Sequence, residues 1–269
     1  MESNILQLLF FLLVAGIAST AGAISGIGGG IIIKPVLDAV SGYGVKEISF
    51  MSGCTVLAMS FVSLLRGKSG IRLDKRRGTA LASGAALGGM GGKFLFNAAL
   101  NSLGGTPALI GIIQSVILTF LTFLVFLYVQ KKNRIVAKNI QNIFFCIGLG
   151  LILGTVSAFL GIGGGPINTM AISYFLSMDS KTVALHSLYT IFISQAASLL
   201  LEWGGKTAPT VSALYLAAMV SGGITGGLIG LRVMKTIGND LIDRIFSVVL
   251  WVVMLLTAFN AIQFTISIM

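Results

Sequence analysis

The sequence predicts an all-α polytopic membrane protein built from two inverted repeats of about five transmembrane segments each, with broken helices at two GIGGG loops. Three observations carry this. The 269 residues are 55% hydrophobic and only 10% charged, with a mean hydropathy of +0.98; soluble domains carry about 25% charged residues. The pentapeptide GIGGG occurs at Gly26 and again at Gly161. Basic residues fall in different loops of the two halves.

The apolar runs "ILQLLFFLLVAGIA", "ALIGIIQSVILTFLTFLVFLYV" and "IFSVVLWVVMLLTAFNAIQFTISIM" are long enough to cross a bilayer. The alternation of a β-barrel is absent. A net charge of +10 suits basic cytoplasmic loops better than a nucleic-acid surface, and no nucleic-acid partner is expected. Cys54 and Cys146 sit inside apolar segments without metal-type spacing. No metal, cofactor or nucleotide loop is expected. The opening "MESN" lacks a basic leader. The segment after it also has a counterpart deep in the chain, so it reads as a span.

Shifting the chain by 135 positions, from Gly26 to Gly161, aligns the halves without a gap, and divides the chain into repeats 1–134 and 135–269 within one membrane domain. Between 21 and 65, 13 of 45 positions are identical, and their clustering at one shift argues for duplication. Each half then reads alike. A long apolar segment (4–24; 139–160) leads into GIGGG. A short segment follows (31–43; 166–178). Three ordinary spans complete the half: 45–65, 79–100 and 107–129 in the first; 180–201, 211–233 and 241–268 in the second.

Thirteen residues cover about 20 Å of a roughly 30 Å core, too little to cross alone. Charge sets the parity instead. The stretch 66–78 holds Arg66, Lys68, Arg72, Lys75, Arg76 and Arg77, whereas its counterpart holds Glu202 and Lys206. The loop "NSLGGT" is uncharged, whereas its counterpart holds Arg232, Lys235 and Arg244 against two Asp. The linker holds Lys131, Lys132, Arg134 and Lys138. Placing all three basic stretches in the cytoplasm requires the short segment to complete a crossing, which inverts the second half. Both termini then lie outside. The alternative is a re-entrant hairpin at each GIGGG, with a parallel repeat.

Consecutive glycines each cost a helix roughly 1 kcal/mol relative to Ala. In a bilayer such a break is tolerated where it lines a protein-enclosed cavity. Bare turns before helix N-termini let an oxyanion approach backbone N–H groups, and Pro166 suits the first turn of a new helix. Gly28, Gly29, Gly30, Gly163, Gly164 and Gly165 are therefore candidate substrate-binding residues. Close helix packing is the competing reading, and "GGMGG" and "GGITGG" fit it.

The spans after the short segments carry polar ladders. Ser52 and Thr55 in one, and Ser187 and Thr190 in the other, share helix faces. They are expected to supply hydroxyls to the site or to act as interhelical glue. Gln195 continues the second ladder, and Asn168 lies just beyond its glycines. His186, the sole histidine, is a candidate proton carrier or anion contact, or a packing residue. Lys34 either neutralises an anionic substrate, pairs with Asp38, or snorkels. Lys93 reads as a snorkelling residue. No carboxylate stands out at mid-membrane as a proton carrier. No catalytic set is present, so an enzyme is not expected.

Duplicated G-x-G-G-G segments in a ten-segment chain of this length resemble the sulfite exporter TauE/SafE family of membrane permeases. The resemblance covers nearly the whole chain and rests on Gly26, Gly28, Gly29 and Gly30, on Gly161, Gly163, Gly164 and Gly165, and on Pro35. It implies transport of small sulfur-containing anions or organic acids, such as sulfite, sulfonates, sulfoacetate or thiosulfate; the expected mode is alternating access across a bacterial inner membrane. An anion channel and a carrier of non-sulfur carboxylates are the alternatives. Many members carry an Ala-Thr-Ser-like sequence where this chain has "SGCTVLAMS".

Overall fold

The computed structural model describes residues 5–67, 74–102 and 107–268. Asn4, Lys68, Arg72 and positions 103–106, which entered the sequence analysis, lie outside the described residues. Ten α-helices and no strand occur among the described residues: α1 (Ile5–Ser25), α2 (Gly30–Val40), α3 (Val45–Gly67), α4 (Lys75–Ser102), α5 (Pro107–Lys131), α6 (Ile143–Leu160), α7 (Pro166–Leu176), α8 (Ser180–Gly204), α9 (Ala213–Thr236) and α10 (Asn239–Ile266). Seven of them, all except α2, α4 and α7, are long and apolar enough to cross a bilayer. The chain is an all-α polytopic membrane protein.

The segments match the sequence-based elements closely, with two starts displaced by four residues; α4 begins at Lys75 rather than at 79. The sixth segment was expected from 139, yet α6 begins at Ile143. The Asn142 side chain caps it by accepting from the Phe144 and Phe145 amides at 2.9 and 3.3 Å. Upstream, Lys138 N and Ile140 N donate to Tyr174 O and Phe175 O near the end of α7. Those bonds hold the preceding residues out of helix.

Small residues set which helices touch. On α9, a Cβ added at Gly222, Gly226 or Gly230 would meet the carbonyls of Leu12, Gly16 and Thr20 in turn. On α4, Gly84, Gly88 and Gly92 lie likewise against Ile147, Leu151 and Thr155 of α6. Glycines four apart let these backbones approach closely without a penalty in water-excluded surroundings. Both series climb together, so α1 runs parallel to α9, and α4 parallel to α6.

Other contacts fix the remaining directions. Thr55 and Met59 of α3 meet Gly223 and Gly227 of α9, again in parallel. On α4, Gly89 meets Ser194 and Ser198 of α8, and Lys93 meets Glu202. Helix α5 opposes α10: Gly111 lies on Phe264, Thr119 bonds Thr257 at 2.7 Å, and Phe126 packs on Trp251. Asn260 and Gln263 of α10 donate to Pro35 O and Ala39 O, so α2 and α10 run the same way.

One expectation is corrected. Ser194 and Ser198 follow Met59 and Ser63 by the expected 135 positions. Gly227, which meets Met59 and Ser63 as Gly89 meets Ser194 and Ser198, follows Gly89 by 138. Helices α4 and α9 also start 138 apart, at Lys75 and Ala213. The contact pattern thus recurs with three extra residues in the connection before α9. Glycines spaced by three and four match one another at more than one shift, which hid the gap in the sequence.

Candidate functional site

The two glycine turns, far apart in the chain, meet inside the helical bundle. Every residue of Gly26–Gly30 and Gly161–Gly165 is buried. A Cβ on Gly30 would overlap the Ile162 carbonyl oxygen. Gly26, Gly28, Gly161, Gly163 and Gly164 have φ of 73°, 76°, 67°, 70° and 140°, left-handed values that favour glycine.

The lone isoleucine of each turn explains how it is anchored. Ile27 and Ile162 join one apolar cluster with Leu118 and Val125 of α5 and Leu250 and Val253 of α10. The glycines face α3 and α8. Gly28 lies against both Val56 and Ile191, Gly163 against Val56, and Gly164 against Ile191. Val56 and Ile191 are repeat counterparts at the 135 shift, and both are buried. Each turn is therefore pinned on one side by its own isoleucine and covered on the other by a branched side chain.

The turns leave backbone donors unused. Among the described residues, the amides of Gly29, Gly163, Gly164 and Gly165 donate to no backbone carbonyl. Buried amides are almost always paired, so four such groups at two touching turns make a donor-rich spot.

Polar side chains gather at the turns unevenly. The buried Ser52 Oγ has no hydrogen-bond partner among the described residues and lies 2.9 Å from a Cβ placed on Gly30. Gln195 Nε2 reaches Gly163. Lys34 is buried, and its Cε lies 3.3 Å from a Cβ placed on Gly161, while its Nζ pairs with Asp38 at 2.7 Å. Ser187 Oγ and Asn168 Oδ1 are buried and unpartnered among the described residues.

Three expected residues are engaged elsewhere. Thr55 and Thr190 bond back to Met51 O and His186 O at 2.8 and 2.9 Å. Thr55 also faces Gly223 of α9. His186 accepts from Asp74 N at 3.0 Å through Nε2, and its Nδ1 lies 2.9 Å from Thr182 O. A carbonyl only accepts, so Nδ1 carries the proton and the ring is neutral in this arrangement. It ties the start of α4 to α8.

Sequence reasoning missed several residues. Ser19 Oγ lies 2.9 Å from a Cβ on Gly29, and Ser49 contacts Gly161; neither hydroxyl has a partner among the described residues. Ser49 lies one turn before Ser52 on α3, so the polar ladder read at Ser52 extends one turn further; Ser19 lies on α1, outside either ladder. Lys93 does not snorkel. It is buried and lies 2.8 Å from buried Glu202.

Cavities flank the turns at opposite ends. One is a narrow cleft lined by Ser49, Lys93, Gly161, Gln195 and Glu202. The other, also narrow, is lined by Ser25, Lys132, Thr169, Ser173 and Asp243. Outside the membrane segments, Asp74 caps α4: its carboxylate accepts from the Arg76 and Arg77 amides at 3.1 Å and from Arg77 Nε at 2.6 Å. Burial opposes ionisation there, but the bonds and charge of Arg77, with the Arg76 amide, outweigh it and hold the carboxyl below its ordinary value.

Seven helices long and apolar enough to cross a bilayer, and a buried, donor-rich spot between two turns, describe a polytopic membrane protein. The chain belongs to the sulfite exporter TauE/SafE family, whose family model matches residues 11–257. That family comprises membrane permeases for sulfur anions, and it is a transporter family, not an enzyme family. No curated protein and no solved structure matches the chain.

Proposed function

We propose that the protein is a secondary permease that moves a small sulfur oxyanion or sulfonate, of the sulfite, thiosulfate or sulfoacetate kind, across a bacterial inner membrane. The anion binds where the two glycine turns meet, on the free amides of Gly29, Gly163, Gly164 and Gly165. Ser52 and Gln195 add donors beside Gly30 and Gly163. Gly28 leaves room that a side chain would fill, and Gly30 lets the Ile162 carbonyl approach closely. Ser187 and Asn168 supply further buried polar atoms, while Thr55, Thr190 and His186 hold the surrounding helices.

The single observation that carries this reading is the meeting of two turns whose buried amides lack carbonyl partners. A cluster of preorganised N–H donors in a dry setting favours an anion.

The two halves act as inverted repeats in this reading. Supporting it, α1 and α3 run with α9, α4 and α6 run with α8, and α3 opposes α8, since Gly53 meets Gln195 and Leu199 while Phe61 stacks on Phe192; α5 opposes α10. The first, third, fourth and fifth helices of one half thus each run opposite to their counterparts. The short α2 and α7 each reach only about 16 Å and start at the turns, so the turns are breaks at mid-depth from which a half-length helix returns. The two cavities lie on opposite sides of the turns and serve as the two vestibules. Rocking one half against the other opens them alternately.

Reconstitution into liposomes tests the proposal. Uptake of labelled sulfite, thiosulfate or sulfoacetate is expected to saturate, unlike channel conduction. Ser52→Ala is expected to weaken half-saturation about threefold to tenfold, the scale of one hydrogen bond of about 1 kcal/mol. Its melting temperature should stay near wild type, because the hydroxyl has no partner to lose. Non-saturating flux, or unchanged half-saturation in Ser52→Ala, counts against this site.

A further inference from the structure

We propose that the Lys132–Asp243 pair, tied to Ser180, is the gate of an entry path that leads from one end of the bundle to the glycine turns. The inference rests on the permease reading and adds to it the gate and the residues that hold it shut.

The bridge joins three elements. Lys132, just past the end of α5, donates through Nζ to both carboxylate oxygens of Asp243 on α10, at 2.9 and 3.2 Å. It also donates to Ser180 Oγ at 2.8 Å. Ser180, the first residue of α8, donates in turn to Asp243 Oδ1 at 2.9 Å. Lys132 belongs to the first half of the chain, and Ser180 and Asp243 belong to the second. The bridge thus fastens the two halves together at the end where the basic linker emerges.

Its place between two cavities assigns what it closes. On one side lies the narrow cleft of Ser25, Thr169 and Ser173. Ser25 directly precedes Gly26, and Thr169 and Ser173 lie on α7, which starts at the second glycine turn. The cleft therefore leads to both turns. On the other side is an open cavity of about 580 Å³, lined by Gln130, Asp240, Arg244 and Ser247. Lys132, Asp243 and Val129 line both spaces. The bridge is the partition between them. With it closed, the cleft is too narrow for more than about one water, and an anion cannot pass. With it open, the cleft and the open cavity join into one path.

The bridge is also built to break. The Lys132 and Asp243 side chains are 23% and 29% exposed. Water competes for both members of such a pair, so it adds little to stability. The Lys34–Asp38 pair, at 3% and 4% exposed, has no water to fall back on, and parting it would strand two charges.

Packing does not ask for charge at this corner. At the opposite end of the bundle the corresponding helix termini meet without it. Val45 at the start of α3, Ile110 near the start of α5 and Phe264 near the end of α10 share one apolar cluster. Gly111 lies on Phe264 there, and Val45 is the counterpart of Ser180 at the 135 shift. The polar version occurs where an open cavity waits on the far side.

Thiol accessibility tests the gate. In a chain with Cys54 and Cys146 replaced by Ser, Ser173→Cys puts a thiol behind the bridge, and Ser247→Cys puts one in the open cavity. A charged thiol reagent is applied to the purified full chain in detergent. With the bridge intact, Ser173→Cys is expected to react slowly and Ser247→Cys fast. Adding Asp243→Asn should raise the Ser173→Cys rate about tenfold, the mark of a comparable shift in the closed–open population. The Ser247→Cys rate should not change. The swapped pair Lys132→Asp/Asp243→Lys restores the attraction and should return Ser173→Cys to its slow rate, which general loosening of the fold would not do.

Fast reaction of Ser173→Cys with the bridge intact, an unchanged rate after Asp243→Asn, or an equal rise at Ser247→Cys would overturn the inference. So would a swapped pair that leaves Ser173→Cys as reactive as Asp243→Asn does. Saturable flux with an unresponsive Ser173→Cys thiol would leave the permease reading standing alone. A thiol that answers to the bridge in a protein without flux would do the opposite.

Discussion

At the scale of single residues, the glycines divide into those that cannot carry a side chain and those that can. Gly30 belongs to the first kind: a methyl group there would overlap the Ile162 carbonyl. Gly91 belongs to the second: it lies in the middle of α4 with nothing within 4 Å of an added Cβ. Gly30→Ala is expected to force the two turns apart and to lower anion flux at least about tenfold, a shift of about 1.4 kcal/mol. Gly91→Ala should transport normally and gain up to about 1 kcal/mol of stability, the ordinary helix preference for alanine. Matched flux and thermal unfolding measurements on the two variants decide the point; equal flux in both would remove the special status of the turns. The glycine turns were legible in the sequence because a triple glycine in an apolar chain is so costly. Val56 and Ile191, which cover them, were not legible. A valine and an isoleucine in an apolar span carry no mark that tells a site wall from a lipid face.

Among elements, the start of α4 depends on a small polar cap. Asp74 accepts two amides of its first turn and the Arg77 side chain, and its own amide is held by His186. Asp74→Ala is expected to destabilise the protein by about 1 kcal/mol, the usual value of an N-cap. Its acid response has a definite sign. The carboxyl is held below 3.8 in the folded protein, so its contribution is complete above that value and is lost as pH falls through the lower folded value. Thermal unfolding in detergent across acid pH should show wild type losing this increment below about pH 3.8 and Asp74→Ala having none to lose. An equal acid response in both proteins would contradict it. The sequence singled out His186 as a candidate for the site. Only the packing of α4 on α8 makes it the partner of a cap, because both of its nitrogens are used there.

For the whole molecule, helix direction sets where the charges emerge. In the inverted arrangement, the linker after α5 and the connection between α9 and α10 open on one face, and the end of α10 on the other. Single cysteines placed at Lys138, Arg244 and Ser267, in a chain with Cys54 and Cys146 replaced by Ser, test this with a membrane-impermeant thiol reagent. Lys138 and Arg244 should react from the same side and Ser267 from the opposite one. Reaction of Lys138 and Arg244 from opposite sides would favour the parallel repeat. The recurrence of GIGGG at one shift, with identities clustered around it, was readable in the sequence. The three extra residues before α9 were not, because evenly spaced glycines align with themselves at several shifts. Contacts resolve the shift: only one pairing puts Gly89 and Gly227 against matching serines and methionine.

The sequence by itself determined the class of molecule, the helical segments and the two places where helices break. Each follows from local chemistry: apolar length, glycine cost and the distribution of lysine and arginine. Only the tertiary structure decided that the two breaks touch, that their amides lack carbonyl partners, and that Lys93 meets Glu202 rather than the membrane surface. Those are contacts between residues more than a hundred positions apart, and side-chain identity alone does not say which distant helix a given face will meet.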